Sequence, residues 1–281
     1  MGVEIAPNTT PLWPVRLCVF TQGPFPPPPN QPHPPARNPA VRDALNATGR
    51  RILYTIHGSA APGSDFGSVA NMWRTGDDLY SSSFAMWTSR LDLATTPFQR
   101  SLAGPGSLPD PDFLEVGYSP RCTRATSQSP LEQRSMFTLW AALPTGLTLS
   151  ADLREGSGGL DAFALATLTN AEVIAVNQDP LVAPMAPVRN ASGLQTWVKP
   201  LAAPGAAALV LFHRGAEAGP LPPVPAVREV GVLWGEVGWP AGARVAVRDL
   251  WAGADLGVFV AGFAANITQR EARIYTLRLQ G

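Results

Sequence analysis

Trp73-Arg74-Thr75-Gly76-Asp77-Asp78 and Asp110-Pro111-Asp112-Phe113-Leu114-Glu115-Val116-Gly117 are the two strings on which the fold is decided. Each brings carboxylates to the end of a short apolar run, and one strand–helix unit separates them. In the first string an apolar run, Val69 to Trp73, leaves a strand and enters a helix expected across roughly residues 80–93. In the second, Phe113 to Val116 reads as the next strand, with Glu115 inside it.

Outward from these strings the alternation continues in both directions. Upstream, residues 41–46 end like a helix, Gly49 supplies its stop, and residues 51–56 form a buried-strand run that His57 closes. Downstream, Ser129-Pro130-Leu131-Glu132 is a capping box with proline at the first helical position, opening a helix whose Phe137, Trp140 and Leu143 recur at helical spacing. Residues 147–150 read as a fourth strand, and Thr169 to Glu172 repeats the capping-box pattern before Val173 to Val176. Strands alternating with helices at this spacing predict parallel pairing through right-handed crossovers, and four such units make half of a (β/α)8 barrel.

After Pro184 the texture changes to short alternating strands between Gly and Pro clusters, at residues 194–198, 207–213, 244–250 and 273–279. That pattern predicts an antiparallel β-sandwich. At the other end, residues 22–39 are so rich in proline that neither helix nor central strand is expected there. The reading is thus an α/β chain of three parts: a Pro-rich disordered leader over 1–39, a partial barrel over 40–183 and a sandwich over 184–281.

Composition narrows the partners. Lys+Arg and Asp+Glu are both 21 in 281 residues, so no net charge points to nucleic acid or to an anionic membrane surface. No apolar run reaches the ~18 residues a membrane-spanning helix needs. Cys18 and Cys122 are the only cysteines, no residue cluster has metal-ligand spacing, and no cofactor is expected. Sequons at Asn8, Asn46, Asn190 and Asn266 suit a secretory route, although residues 12–20 make no convincing signal peptide.

The chemistry-bearing residues collect at predicted strand ends. At the C-terminal rim of a barrel, a carboxylate such as Asp78 with a cation such as Arg74 nearby is the arrangement an acid catalyst requires. The same spacing also suits an Arg–Asp pair that merely caps a helix. Asp77 and Asp78 are adjacent, so only one of them points into a given pocket. Asp110 and Asp112 flank a proline where Asx turns are common, and His57 faces the same rim as Asp78 or serves as a structural histidine. Trp73, Trp87 and Trp140 fit either a sugar platform or core filler.

From about Val41 onward the chain resembles the back half of α-galactosidases of glycoside hydrolase family 27. The resemblance rests on residues 44–50, 73–78, 110–117 and 169–181, followed by 247–251 in what resembles the family's C-terminal β-domain. It implies retaining hydrolysis of terminal α-D-galactosides, with Asp78 as acid/base and with Arg74, His57, Asp112 and Phe113 in contact with substrate. Phe113 stands where the family commonly has a methionine under the sugar, and Asp77 where it usually has glycine. Two departures stand out. The family's nucleophile lies in a Lys-x-Asp string, whereas the only lysine here is Lys199, and the early aspartate pair that grips galactose hydroxyls is missing. His57 replaces a glutamate and is followed by Ser59, Ala60 and Ala61, which leaves room for N-acetylgalactosamine.

The expected function is therefore that of an α-galactosidase-type hydrolase, truncated and poorly active, acting on an α-galactoside oligosaccharide or glycoconjugate. The alternatives are an α-N-acetylgalactosaminidase and a non-catalytic carbohydrate-binding or interaction protein on a degenerate barrel. A homodimer that closes the half barrel is the expected assembly.

Overall fold

The structure is a computed structural model that describes residues 18–21, 37–57, 66–79, 83–117, 128–151, 153, 160–215 and 226–281. Four strands, β1 (Cys18–Thr21), β2 (Leu53–Ile56), β3 (Met72–Arg74) and β4 (Leu108–Asp110), form one sheet in chain order. Every neighbouring pair is parallel, so all strand C-termini emerge along a single rim. Helix α1 (Arg37–Ala47) joins β1 to β2, and α2 (Phe84–Ala94) with α3 (Pro97–Leu102) joins β3 to β4. Helices α4 (Pro130–Ala142), α5 (Ala162–Leu168) and α6 (Ala171–Asn177) follow.

Three expectations need correcting. Residues Cys18–Thr21 fall inside the segment expected to be a disordered leader, yet they pair with β2 from Cys18↔Leu53 to Thr21↔Ile56. α1 begins at Arg37, before the expected boundary, with Pro39 in its first turn where a missing amide costs nothing. The remainder of the proline run lies outside the described residues, as does Cys122. The strand expected at 113–116, with Glu115 inside it, is not a sheet strand: β4 lies earlier, at Leu108–Asp110. Its Pro109 is tolerated because the ladder bonds use the flanking groups, Leu108 N–H to Asn71 O and Thr75 N–H to Asp110 O, both 2.9 Å. Pro111 and the positive φ of Asp112 (90°) then end the strand. Only Leu114 continues the pairing, through a single parallel bridge to Leu149 in place of the fourth strand expected at 147–150.

Helix starts follow the sequence more closely. Ser129 and Glu132 complete the capping box of α4, with Pro130 in the first turn. At α6 the cap is Asn170 and not Thr169: its Oδ1 accepts from Glu172 N–H and Val173 N–H, both at 3.0 Å. Asn170 Nδ2 also donates to Leu250 O at 2.9 Å, tying the helix to the second half of the chain.

That second half is antiparallel. β5 (Ala186–Ala191), β6 (Leu194–Pro200), β7 (Ala206–His213), β9 (Arg244–Asp249), β10 (Ala254–Val260) and β12 (Ala272–Leu279) make a six-stranded sheet in the order β10-β9-β12-β7-β6-β5. β8 (Val227–Leu233) and β11 (Gly262–Thr268) form a two-stranded sheet. The four expected strands correspond to β6, β7, β9 and β12. One core lies between the two sheets, built from Leu209, Leu211, Val245, Ile267 and Leu277 among others. The opposite face of the six-stranded sheet joins the barrel core: Trp197, Val210, Phe212 and Ile274 share a cluster with Phe84, Trp87, Met136 and Trp140. Trp87 sits edge-on to Phe84 at 4.9 Å and to Trp140 at 6.1 Å, and stacks on Phe212 at 6.3 Å. The two halves are therefore joined by packing as well as by the chain. Among the described residues no helix is long and apolar enough to cross a membrane.

Candidate active site

Parallel pairing brings the ends of β2, β3 and β4 side by side, so His57, Arg74 and Asp110 leave the sheet along the same rim. Arg74 is buried and reaches two carboxylates. Its Nη1 donates to Asp78 Oδ1 at 3.0 Å and its Nη2 to Asp112 Oδ2 at 2.6 Å. The Asp112 side chain is only 4% exposed, whereas that of Asp78 is 66% exposed. The fork thus joins a buried anchor to a carboxylate that faces solvent. His57 Nε2 meets the same Asp78 Oδ1 at 2.9 Å.

Asp112 is held from every side. Oδ2 also accepts Leu79 N–H at 2.7 Å and Oδ1 accepts Phe113 N–H at 2.8 Å. Its own amide donates to Asp110 Oδ1 at 2.9 Å, and its carbonyl accepts the Trp140 indole N–H at 2.9 Å. These bonds compensate for a left-handed backbone that a non-glycine residue adopts only under constraint. Asp110 and Asp112 do form the Asx-type contacts their spacing suggested, but Asp112 uses its second oxygen to seat Arg74.

The carboxylates of the rim differ in their acidity. Hydrogen bonding from His57, aided by Arg74, holds Asp78 below the usual carboxylate value despite some burial. Burial pushes Asp110 the other way, from 3.8 up to about 6, against the pull of the Asp112 amide and Arg74. An acid whose pKa is higher in the folded than in the unfolded state stabilises the fold fully below the unfolded value and loses that contribution as pH rises through the folded one. Asp110→Asn keeps an acceptor for the Asp112 amide and removes the charge. Its unfolding free energy from urea titration should match wild type at about pH 3 and exceed it at pH 7 by on the order of 1–3 kcal/mol.

Other candidates separate into those that join the rim and those that do not. Phe113 follows Asp112 directly, donates its amide to Asp112 Oδ1 and is 43% exposed. Asp77 is exposed and has no bonded partner among the described residues. Glu115 is buried and accepts from Gln128 Nε2 at 3.1 Å. Trp73, Trp87 and Trp140 are fully buried, which makes them core filler and not sugar platforms. Three supporting contacts escaped the sequence reading: Arg90 Nη2 to Asp78 O at 3.3 Å, Leu79 N–H to Asp112, and the Trp140 indole to Asp112 O. Trp140 carried a signal as a helix-face residue and as a platform or filler, not as a donor to Asp112, and backbone donors carry none. Among the described residues no group of three His, Cys, Asp or Glu side chains is placed to hold a metal ion.

A parallel sheet with charged groups gathered at its C-terminal rim, followed by an antiparallel sandwich, defines the class as a partial (β/α)8 barrel with an appended β-domain. The family model described as alpha galactosidase A matches residues 28–179, and that of the alpha galactosidase C-terminal beta sandwich domain matches residues 191–277. The chain belongs to the α-galactosidase family GH27. Alpha-galactosidase 3 of Arabidopsis thaliana is 33% identical over 252 residues, 87% of this chain and 52% of that protein. A probable alpha-galactosidase of Dictyostelium discoideum is 33% identical over 83% of this chain and 56% of that protein. Among solved structures, a GH27 β-L-arabinopyranosidase from Geobacillus stearothermophilus, in complex with arabinose, superposes with a TM-score of 0.72 at 25% identity, covering 86% of this chain and 53% of that one. The chain thus spans about half the length of the relatives it matches.

Proposed function

We propose that the rim is the galactoside-binding and acid/base portion of a retaining α-galactosidase site, and that this chain by itself turns over galactosides negligibly. The observation that carries the reading is the Arg74 fork, which fixes Asp112 in the wall and presents Asp78 to solvent. In this role Asp78 exchanges the proton of the glycosidic oxygen, Arg74, seated by Asp112, orients the sugar's hydroxyls, and the exposed Phe113 covers an apolar sugar face. His57 borders the rim on the β2 side.

Retention also needs a second carboxylate roughly 5–5.5 Å from the first, as nucleophile. The Lys-x-Asp string that carries it in the family has no counterpart in this sequence, where Lys199 is the only lysine. A substrate of the α-galactoside class fits the names of the relatives. A secretory route is supported by Asn46, Asn190 and Asn266, all of them exposed. A dimer is supported by β1, which has no neighbour on its outer side among the described residues.

The test measures p-nitrophenol release from its α-galactoside by the intact chain and by Asp78→Asn, together with amide chemical-shift changes on adding galactose. The expected result is galactose-dependent shifts around Arg74, Asp78 and Phe113, with release no faster than background. Release well above background that Asp78→Asn abolishes would overturn the negligible-turnover reading. Absence of any shift would overturn the sugar-binding one.

A further inference from the structure

The rim contains a contact that the galactoside reading does not use. His57, at the end of β2, and Arg74, at the end of β3, both bond to the same oxygen of Asp78, Oδ1, at 2.9 Å and 3.0 Å. Oδ2 has no hydrogen-bond partner among the described residues, and the side chain is 66% exposed. We propose that His57 is a positioning residue for Asp78: with Arg74 it occupies Oδ1 from a second strand, so that Oδ2 alone meets the ligand. This deepens the galactoside reading and rests on it only for the identity of that ligand.

Two donors arriving from neighbouring strands on one oxygen restrain rotation about the last side-chain bond more than either alone, because turning the carboxylate away would break both bonds. An ionised carboxylate accepts and does not donate, so the imidazole presents Nε2–H to it. The bond from His57 is the largest single influence on Asp78, and with the charge of Arg74 it favours the ionised form. The other charged groups around the pair are few. Arg90, on α2, donates to the Asp78 carbonyl. Asp112, beyond β4, takes the second arm of Arg74. Asp110, at the end of β4, acts electrostatically on both Arg74 and His57. Asp77 is exposed next in sequence.

A consequence follows for the chemistry. A general acid must carry its proton when substrate arrives. With His57 in place, Asp78 meets the sugar as a hydroxyl acceptor, and protonation at Oδ2 must work against two donors on Oδ1. His57 therefore sets the balance between holding the ligand and donating to it.

The test is a carboxyl 13C titration of the intact chain, with the Asp78 signal assigned by its loss in Asp78→Asn. In wild type this carboxyl should titrate below the ordinary aspartate range. His57→Ala should move it upward, and His57→Gln, whose side-chain amide can still donate, should fall between the two. An Asp78 titration unchanged by His57→Ala overturns the proposal, because a merely structural histidine would leave it in place. Should His57→Ala fail to fold, wild type alone decides: the Asp78 signal must show an inflection in step with the titration of the His57 ring protons, and independence of the two overturns the pairing. No sugar enters either measurement, so failure here is distinguishable from a failure to bind galactose.

Discussion

Glu132→Ala is expected to lower the stability of the chain by about 3–5 kcal/mol, the range found when one partner of a buried ion pair is removed. Glu132 and Arg270 meet at 2.8 Å with side chains 4% and 5% exposed, so truncation takes from a buried guanidinium the carboxylate its Nη1 donates to. The same carboxylate does a second job through its other oxygen, which accepts Ser129 N–H at 2.7 Å and the Ser129 hydroxyl at 2.8 Å. Loss of this half of the capping box adds about 1 kcal/mol. Arg270 itself lies over the Phe84 ring at 4.7 Å and takes a positive φ of 67° between β11 and β12, so little room exists for it to swing into solvent. Urea denaturation at pH 7 checks the prediction. Glu132→Gln separates the two jobs, since it can retain the cap while losing the charge. A loss below about 1 kcal/mol in Glu132→Ala would show that the pair is solvated in solution.

The second large effect is at the sugar rim. Arg74→Met removes both arms of the fork and leaves Asp112, 4% exposed, without the guanidinium that meets it at 2.6 Å. An uncompensated buried carboxylate again costs about 3–5 kcal/mol. Galactose binding should fall below detection, because Asp112 loses its seat and Asp78 one of its two donors. Arg74→Lys should not rescue it: a single ammonium cannot span two carboxylates that a planar fork holds. The double variant Arg74→Met/Asp112→Asn provides the control. It should recover part of the stability, since the buried charge is gone, and none of the binding. Equal galactose affinity in Arg74→Met and wild type would remove the fork from the site.

Much of this architecture can be read from local chemistry, and the exceptions have definite causes. The capping box at Ser129 and the change of texture after Pro184 are signals contained within a few residues, and both correspond to structure. β4 was hidden because Leu108-Pro109-Asp110 carries a proline that argues against a strand, and only the ladder shows that its missing amide is not required. Residues 113–116 were over-read because an apolar run does not reveal that Pro111 and the positive φ of Asp112 have already turned the chain. β1 was missed because a four-residue strand beside a proline-rich run has no periodicity to detect. Of the candidate site, the pairing of Arg74 with Asp78 was suggested by the Trp-Arg-x-x-x-Asp string that resembles the family's, and the two meet at 3.0 Å. The anchoring of Asp112 was not, because Leu79 N–H and the Trp140 indole reach it from distant parts of the chain.

The junction between helix α4 and the sandwich also governs the order in which the molecule can be completed. Glu132 and Ser135 find partners 138, 135 and 137 positions further on, in Arg270 and Ala272. During synthesis from the N-terminus the barrel segment must therefore wait, its apolar helix face uncovered, until the strand that carries Ala272 has left the ribosome. Contacts so distant in sequence slow folding and lengthen the exposure of sticky intermediates. β12 is thus the closure that helix α4 depends on, and a ribosome that stops short of it releases a chain whose α4 keeps its buried polar groups without these partners.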